Sequence, residues 1–414
     1  MPERHCAIFK NKEVVVKLQG QIWWLLGMIV ALPVGTSAQS YRVIDLGSVG
    51  NPYYMAVNNY GMVVLNPPNN QAVVWQNWGT TSVGTLGTTA FGAGINDLGQ
   101  VVGYSYNGST LRPFIYSNGT ISDLGSIPGA TESYALSINN AGQVTGYVIT
   151  GQGGWPSWAT LWQNGTVTNL GVNAATLANY GNGINASGTI CGDSGSLAFV
   201  WTLSGGTQYL PGLPGASTTE AMAISDVGLI VGTSEYTNSV SSMHAVLWNN
   251  GTITDLGALA PPGFGVTAIA TAINSSTQVV GYSTTASGEN AFLYDPVHGM
   301  QNLNGLIDTS LGWVLQSALG INDSGVIVGT GTLSGHGTQV FMLLPIPAVG
   351  ISLTPSNVWV TANSLAGGWI YTLESSTDLV NWTGSPSVVA TNPGCMWQDT
   401  LQPNESEKFY RLKW

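Results

Sequence analysis

Gly192-Asp193-Ser194-Gly195 sets a serine between an acid and a glycine, the spacing of an acyl-transfer nucleophile. Such a serine needs a histidine base and a third group that orients it. Beyond residue 38 the histidines are His244, His298 and His336, and none stands in a pattern that supplies the base. The tetrad also falls at the exit of a repeated strand, so it reads as a turn. No Gly-x-Ser-x-Gly elbow, His-x-x-x-His pair, phosphate-cradling loop or calcium-loop spacing occurs. No cofactor and no metal site is expected. Cys191 sits inside an apolar strand and reads as a buried thiol. Carboxylates remain. Glu132 and Glu220 begin corresponding strands of two repeats. They would serve a polysaccharide hydrolase or lyase near the axis if their carboxyls stood about 5 Å apart for retention or about 6.5–9.5 Å for inversion. The two repeats are not adjacent, which argues against the pair.

The elements that must position these groups come from a repeat. A small residue, an aliphatic residue, Asn, two variable residues and Gly recur seven times, beginning at Ala56, Gly94, Ser137, Gly183, Ala223, Ala272 and Gly320. The spacing averages about 44 residues, the period of four-stranded propeller blades. The first strand ends at the Ile-Asn. A second follows the Gly, as in Val101-Val102-Gly103-Tyr104. A third is of the Ala-Phe-Val-Trp type at Ala198–Trp201, and a fourth runs from Thr to Gly, as at Thr120–Gly125. Asn-Gly joins third to fourth at Asn118, Asn164 and Asn250, the signal of a two-residue hairpin. In Asn-x-x-Gly the Asn can close its own turn and the Gly can take a left-handed backbone. Turn chemistry therefore accounts for the asparagines without a ligand. The tryptophans Trp75, Trp162, Trp201 and Trp248 recur in third strands as core.

Tyr41–Gly47 is a fourth strand with no partners before it, and the seventh repeat ends at Leu343 without one. The displaced strand should complete the last blade and remove the free edges that an open solenoid would leave. The fold expected is all-β: a seven-bladed β-propeller with four strands per blade, its N-terminal strand closing the last, then a small β-sandwich-like domain. The boundaries expected are a secretory signal at 1–38, the propeller at 39–344, a linker at 345–350 and the C-terminal domain at 351–414.

Units such as His244-Ala245-Val246-Leu247-Trp248 and Ile95-Asn96-Asp97-Leu98-Gly99-Gln100-Val101-Val102-Gly103 resemble the HAF repeat of extracellular bacterial proteins. The resemblance covers residues 41–344 and implies secretion and repeats. It supplies no catalytic residues, since no general activity is established for that family. Ser225 for Asn and Thr277 for Gly depart from the pattern and should loosen two turns. Glu374-Ser375-Ser376-Thr377-Asp378-Leu379-Val380-Asn381-Trp382, with terminal Phe409-Tyr410-Arg411-Leu412, is similar to a C-terminal module on secreted proteins of verrucomicrobial-type bacteria.

Composition limits the partners. Ile22–Val34 is an apolar run too short to span a bilayer, which takes about 20 residues. Basic residues precede it and Thr36-Ser37-Ala38 follows, as in a cleaved leader; an uncleaved anchor is the alternative. The chain is then secreted, extracellular, at the cell surface or periplasmic, with no transmembrane segment once the leader is gone. Charged residues are 7% of the chain, against about 25% for an ordinary domain. Between Ser40 and Pro347 the only basic residues are Arg42 and Arg112, which excludes nucleic acid and anionic membranes. Cys191 and Cys395 fall in different domains, so no disulfide framework holds the fold. The function expected is a monomeric, non-enzymatic binding or adhesion module for a neutral glycan or a protein. Variable loops on one face supply the candidates: Trp155, Trp158, Tyr236 and Phe264 as aromatics, and Glu132, Glu220, Glu235 and Glu289 as polar groups.

Overall fold

A computed structural model describes residues 8–10, 13–19, 39–52, 54–151, 153, 155–173, 178–236, 242–260, 266–353, 357–363, 365–367, 369–390, 394–400 and 407–414. The chain divides into two compact units. The larger, Tyr41–Asn58 with Met62–Leu344, is a β-propeller of seven four-stranded antiparallel sheets. The first strands are Ala56–Val57, Ala90–Ile95, Glu132–Ile138, Asn179–Ile184, Thr218–Ile224, Ala268–Ile273 and Trp313–Ile321. Each sheet's second, third and fourth strands follow in chain order, except in the seventh. There Tyr41–Ser48 lies beside Gly337–Pro345 as the fourth strand, as the unpartnered strand in the sequence requires. Asn118-Gly119, Asn164-Gly165 and Asn250-Gly251 all have positive φ at both positions, the backbone of a type I′ hairpin.

First strands pack on one another from sheet to sheet, that of the seventh against that of the first. This crowding explains the small residue before each Ile-Asn. At Gly94 a Cβ would stand 2.9 Å from the Leu136 carbonyl of the next sheet. Cores form between sheets: Val64, Ala90, Val101 and Phe114 between the first two, and Ala159, Leu161, Ile190 and Phe199 between the third and fourth.

The repeated asparagines do more than close their turns, which corrects the sequence reading. Asn139 Oδ1 accepts from the N–H groups of Ala141 and Gln143, as a turn demands. Its Nδ2 donates to the Asn185 carbonyl of the next sheet at 2.9 Å. Asn58, Asn96, Asn185, Asn274 and Asn322 do likewise toward Asn96, Asn139, Ser225, Asn322 and Asn58. Ser225 is too short to reach out and keeps its hydroxyl on Leu229.

The smaller unit holds two sheets. One is Ala348–Leu353, Asn357–Asn363 and Gly394–Thr400; the other is built on Ile370–Ser376 and Glu407–Lys413. Val358, Val360 and Trp397 of the first share a core with Tyr371, Leu373, Tyr410 and Leu412 of the second. Residues 348–350 already pair with 361–363, so the linker at 345–350 is mostly strand. Glu13–Gln19, inside the expected leader, pairs with Glu407–Lys413, as its Val14-Val15-Val16 run favours. Ile22–Val34 lies outside the described residues. Among those described, no helix is long and apolar enough to cross a membrane.

Candidate functional site

One cross-strand pair recurs in six sheets: Phe91 with Tyr104, Tyr134 with Tyr147, Tyr180 with Asp193, Glu220 with Thr233, Ile269 with Tyr282, and Ser317 with Thr330. Each joins the first strand to the residue just after the second-strand glycine. Local backbone produces the pair. The first strands of sheets two to six carry a β-bulge one or two residues further on, as between Ala135 and Ser137. At Gly146 a Cβ would fall on the Tyr134 carbonyl, so only glycine lets the strands close there.

These pairs put aromatic rings in contact across sheets. Tyr134 stacks on Tyr147 with centroids 4.6 Å apart, and Phe91 on Tyr104 at 5.3 Å. Tyr104 meets Tyr134 edge-on at 4.9 Å, Tyr147 meets Tyr180 at 4.7 Å, and Tyr54 meets Tyr104 at 5.9 Å. The result is one tyrosine arc over sheets two to four. Tyr104 is buried, and the other rings are half-buried. Burial first, then neighbouring phenols and Glu132, hold the Tyr134 and Tyr147 hydroxyls protonated far above the ordinary phenol range. The Tyr134 hydroxyl donates to Glu132 at 2.6 Å.

Beyond Tyr180 the same positions turn acidic. Asp193 is pushed up to about 7, chiefly by burial and further by Glu220, against the hydrogen bond it accepts from Asn182 at 2.7 Å. Asn182 is the bulge residue of its strand and also donates to the Ala221 carbonyl, tying Asp193 to the strand that carries Glu220. Glu220 is raised by desolvation and by Glu235. Desolvation raises Glu289, and Tyr282 is raised by burial and by the Glu289 and Glu220 charges.

The expected residues are thus divided. Glu132 joins the arc; Glu220, Glu235 and Glu289 share one field. Glu235 accepts from Thr218 at 2.9 Å. Trp155 is exposed, Trp158 turns its indole N–H to Thr150, and Tyr236 packs edge-on to His244. Phe264 lies outside the described residues. Glu132 and Glu220 are not the pair the structure links; Asp193 and Glu220, on adjacent sheets, are. Ser194 ends the second strand of its sheet, buried with its hydroxyl on Asn179, and the turn begins at Gly195, while the Asp193 beside it belongs to the site. The missed groups had a signal: Tyr104, Tyr147, Asp193 and Tyr282 all follow the second-strand glycine. Cys191 is buried and its thiol is pushed up to about 12 by that burial, leaving it inert at neutral pH.

No protein family and no curated protein matches the chain. Solved structures do. Virginiamycin B lyase from Staphylococcus aureus is similar at 13% identity and TM-score 0.48, over 74% of this chain and 100% of that one. YCF48 bound to a D1 peptide is similar at 13% and 0.48, over 74% and 97%. A gluconolactonase from Xanthomonas campestris is similar at 13% and 0.36, over 74% and 90%. Likeness at this identity concerns the fold alone. It nevertheless corrects the expectation of a non-enzyme. Structures of this kind include a lyase and a lactonase, so the lack of a familiar motif does not set catalysis aside.

Proposed function

We propose that this chain is an extracellular or cell-surface protein of the HAF-repeat type. In this reading its seven sheets close into one ring, and it binds a saccharide on the tyrosine arc. The unbroken run of ring contacts from Tyr54 through Tyr104, Tyr134 and Tyr147 to Tyr180 carries the reading. Tyrosine offers an apolar face and a hydroxyl, and a sugar ring offers an apolar C–H face and a rim of hydroxyls. Aromatic walls with a few fixed polar groups are how small-molecule sites obtain affinity and orientation together. The test is a glycan array on the purified protein, followed by titration of the strongest binder against Tyr134→Ala and Tyr147→Ala. Each should weaken binding by about ten-fold or more, the scale of a lost aromatic contact. An array without signal, or variants that bind as the parent does, would overturn the proposal.

Cleavage of the bound polysaccharide is a second reading, favoured by Asp193. A carboxyl held near 7 beside a second carboxyl on the adjacent strand suits proton donation to a leaving oxygen. Release of reducing or unsaturated ends by the parent, and not by Asp193→Asn, is the outcome that reading requires.

A further inference from the structure

In the smaller unit one strand is covered by a segment that export would remove. Its larger sheet runs Ile8–Lys10, Glu13–Gln19, Glu407–Lys413, Ile370–Ser376. Glu13–Gln19 lies antiparallel to Glu407–Lys413, from Glu13 opposite Lys413 to Gln19 opposite Glu407. Both strands of the hairpin over 8–19 fall within the expected leader, residues 1–38. Without it, Glu407–Lys413 keeps Ile370–Ser376 on one side and presents a bare edge on the other. A bare edge is a row of backbone donors and acceptors that templates another strand. We propose that removal of residues 1–38 uncovers Glu407–Lys413, and that this strand then pairs antiparallel with the same strand of a second copy about a two-fold axis. The pairing needs no ligand on the tyrosine arc and is independent of the saccharide reading.

The strand seated on this edge is chemically like the edge strand itself, which selects a second copy as the occupant. In the same register, Glu-Val-Val-Val-Lys-Leu-Gln at 13–19 stands where Glu-Lys-Phe-Tyr-Arg-Leu-Lys at 407–413 of a second copy would stand. The two share Glu first, a basic residue fifth and Leu sixth. Between them lie β-favouring residues, Val15-Val16 in one and Phe409-Tyr410 in the other. The exchange is self-complementary, as a two-fold interface requires: Glu407 of each copy falls opposite Lys413 of the other, with Tyr410 at the axis. Charge favours that register. Glu374 holds both Arg411 and Lys413, so two cations share one carboxylate, and an acid opposite Lys413 balances the second. Lysines on an edge ordinarily discourage pairing. Here Lys413 is drawn to Glu374 at 3.3 Å and Lys408 to Asp399 at 3.0 Å, both within the unit.

Sedimentation velocity tests it, on the exported protein with its first residue read by sequencing and on a chain made to begin at Gln39. Both should be dimers at about 50 µM, where a micromolar dissociation constant leaves few monomers. A synthetic peptide of residues 13–19, in excess, should return them to monomers by occupying the edge. Glu407→Lys and Lys413→Glu should each weaken self-association by about ten-fold, since each sets like charges opposite one another at both ends of the pairing. Mixed in equal amounts, the two variants should pair as tightly as the parent, because each supplies the opposite charge that the other lacks. That recovery also shows that both variants are folded. If the exported protein keeps residues 13–19, the edge stays covered and the inference falls. If the chain from Gln39 remains monomeric, the bare edge does not pair and the inference falls. A dimer that ignores both the peptide and the charge reversals is made by another surface, and that too overturns it.

Discussion

At the scale of single residues, Asp193 is where burial and charge conflict most openly. Its carboxyl prefers the proton in the folded chain, being raised to about 7 from an ordinary 3.8. A carboxyl raised on folding stabilises the fold while protonated, and that contribution is lost as pH climbs from the unfolded value through the folded one. The loss therefore spans roughly pH 4 to 7. Asp193→Asn keeps an oxygen for Asn182 Nδ2 and abolishes the ionisation. Its melting temperature should equal the parent's near pH 4 and exceed it at pH 8, measured by calorimetry at both. A parent whose stability does not fall between those values, with the variant tracking it throughout, would show that Asp193 is not desolvated.

Asn139 teaches a second lesson at this scale. Sequence spacing explained the turn and stopped there, because Oδ1 alone satisfies it. The Nδ2 bond to Asn185 depends on which sheet is adjacent, and chain spacing does not state that. Asn139→Ala removes two accepted and at least one donated hydrogen bond at a buried position. It should cost about 2–4 kcal/mol, more than a turn cap alone, read as a shift in urea midpoint.

Among elements, the strands and hairpins were legible because their causes are local. Asn-Gly fixes the hairpins, the short Val- or Ile-led run before a Gly marks the second strands, and the period fixes the count. The site was not legible in the same way. Tyr104 and Tyr134, or Tyr147 and Tyr180, meet only because first and second strands of neighbouring sheets pack together. Read one strand at a time, an aromatic stripe looks like core, and only the variable loops stand out as candidates. Two substitutions test the element scale. Gly146→Ala forces a methyl onto the Tyr134 carbonyl and should cost about 1–3 kcal/mol, as overpacking does. It should also weaken sugar binding, because the Tyr134–Tyr147 stack rides on that pair. Ser225→Asn should supply the missing donor toward the sixth sheet and raise stability by about 1 kcal/mol, read from the same urea transitions. A destabilised Ser225→Asn would mean the fifth and sixth sheets are spaced too widely for the amide to span.

For the whole molecule the proposal with most at stake is the ring. Tyr41–Ser48 is the first described strand of the propeller unit and the outermost of the seventh sheet. Its buried side chains are Tyr41 and Ile44, and Val43 and Leu46 are half-buried. Tyr41 packs in one cluster with Trp313, Phe341 and Leu343, and its N–H donates to the Leu306 carbonyl at 2.8 Å. Burial of two such side chains contributes about 3–6 kcal/mol. That is comparable with the 5–15 kcal/mol margin of a typical domain, before any ladder hydrogen bond is counted. A chain starting at Asn51 should therefore melt far lower than one starting at Gln39, and should aggregate through the bare edge of Gly337–Pro345. Rejoining Tyr41–Ser48 behind Leu343 through an Asn-Gly turn should restore the melting temperature, because a ring requires the strand's place in the sheet and not its place in the chain. Sedimentation separates the outcomes: the same small species for the parent and the rejoined chain, larger ones for the truncation. If the truncated chain proves as stable and as free of larger species as the parent, the fourth strand is not holding the seventh sheet to the first, and the seven sheets form an open array.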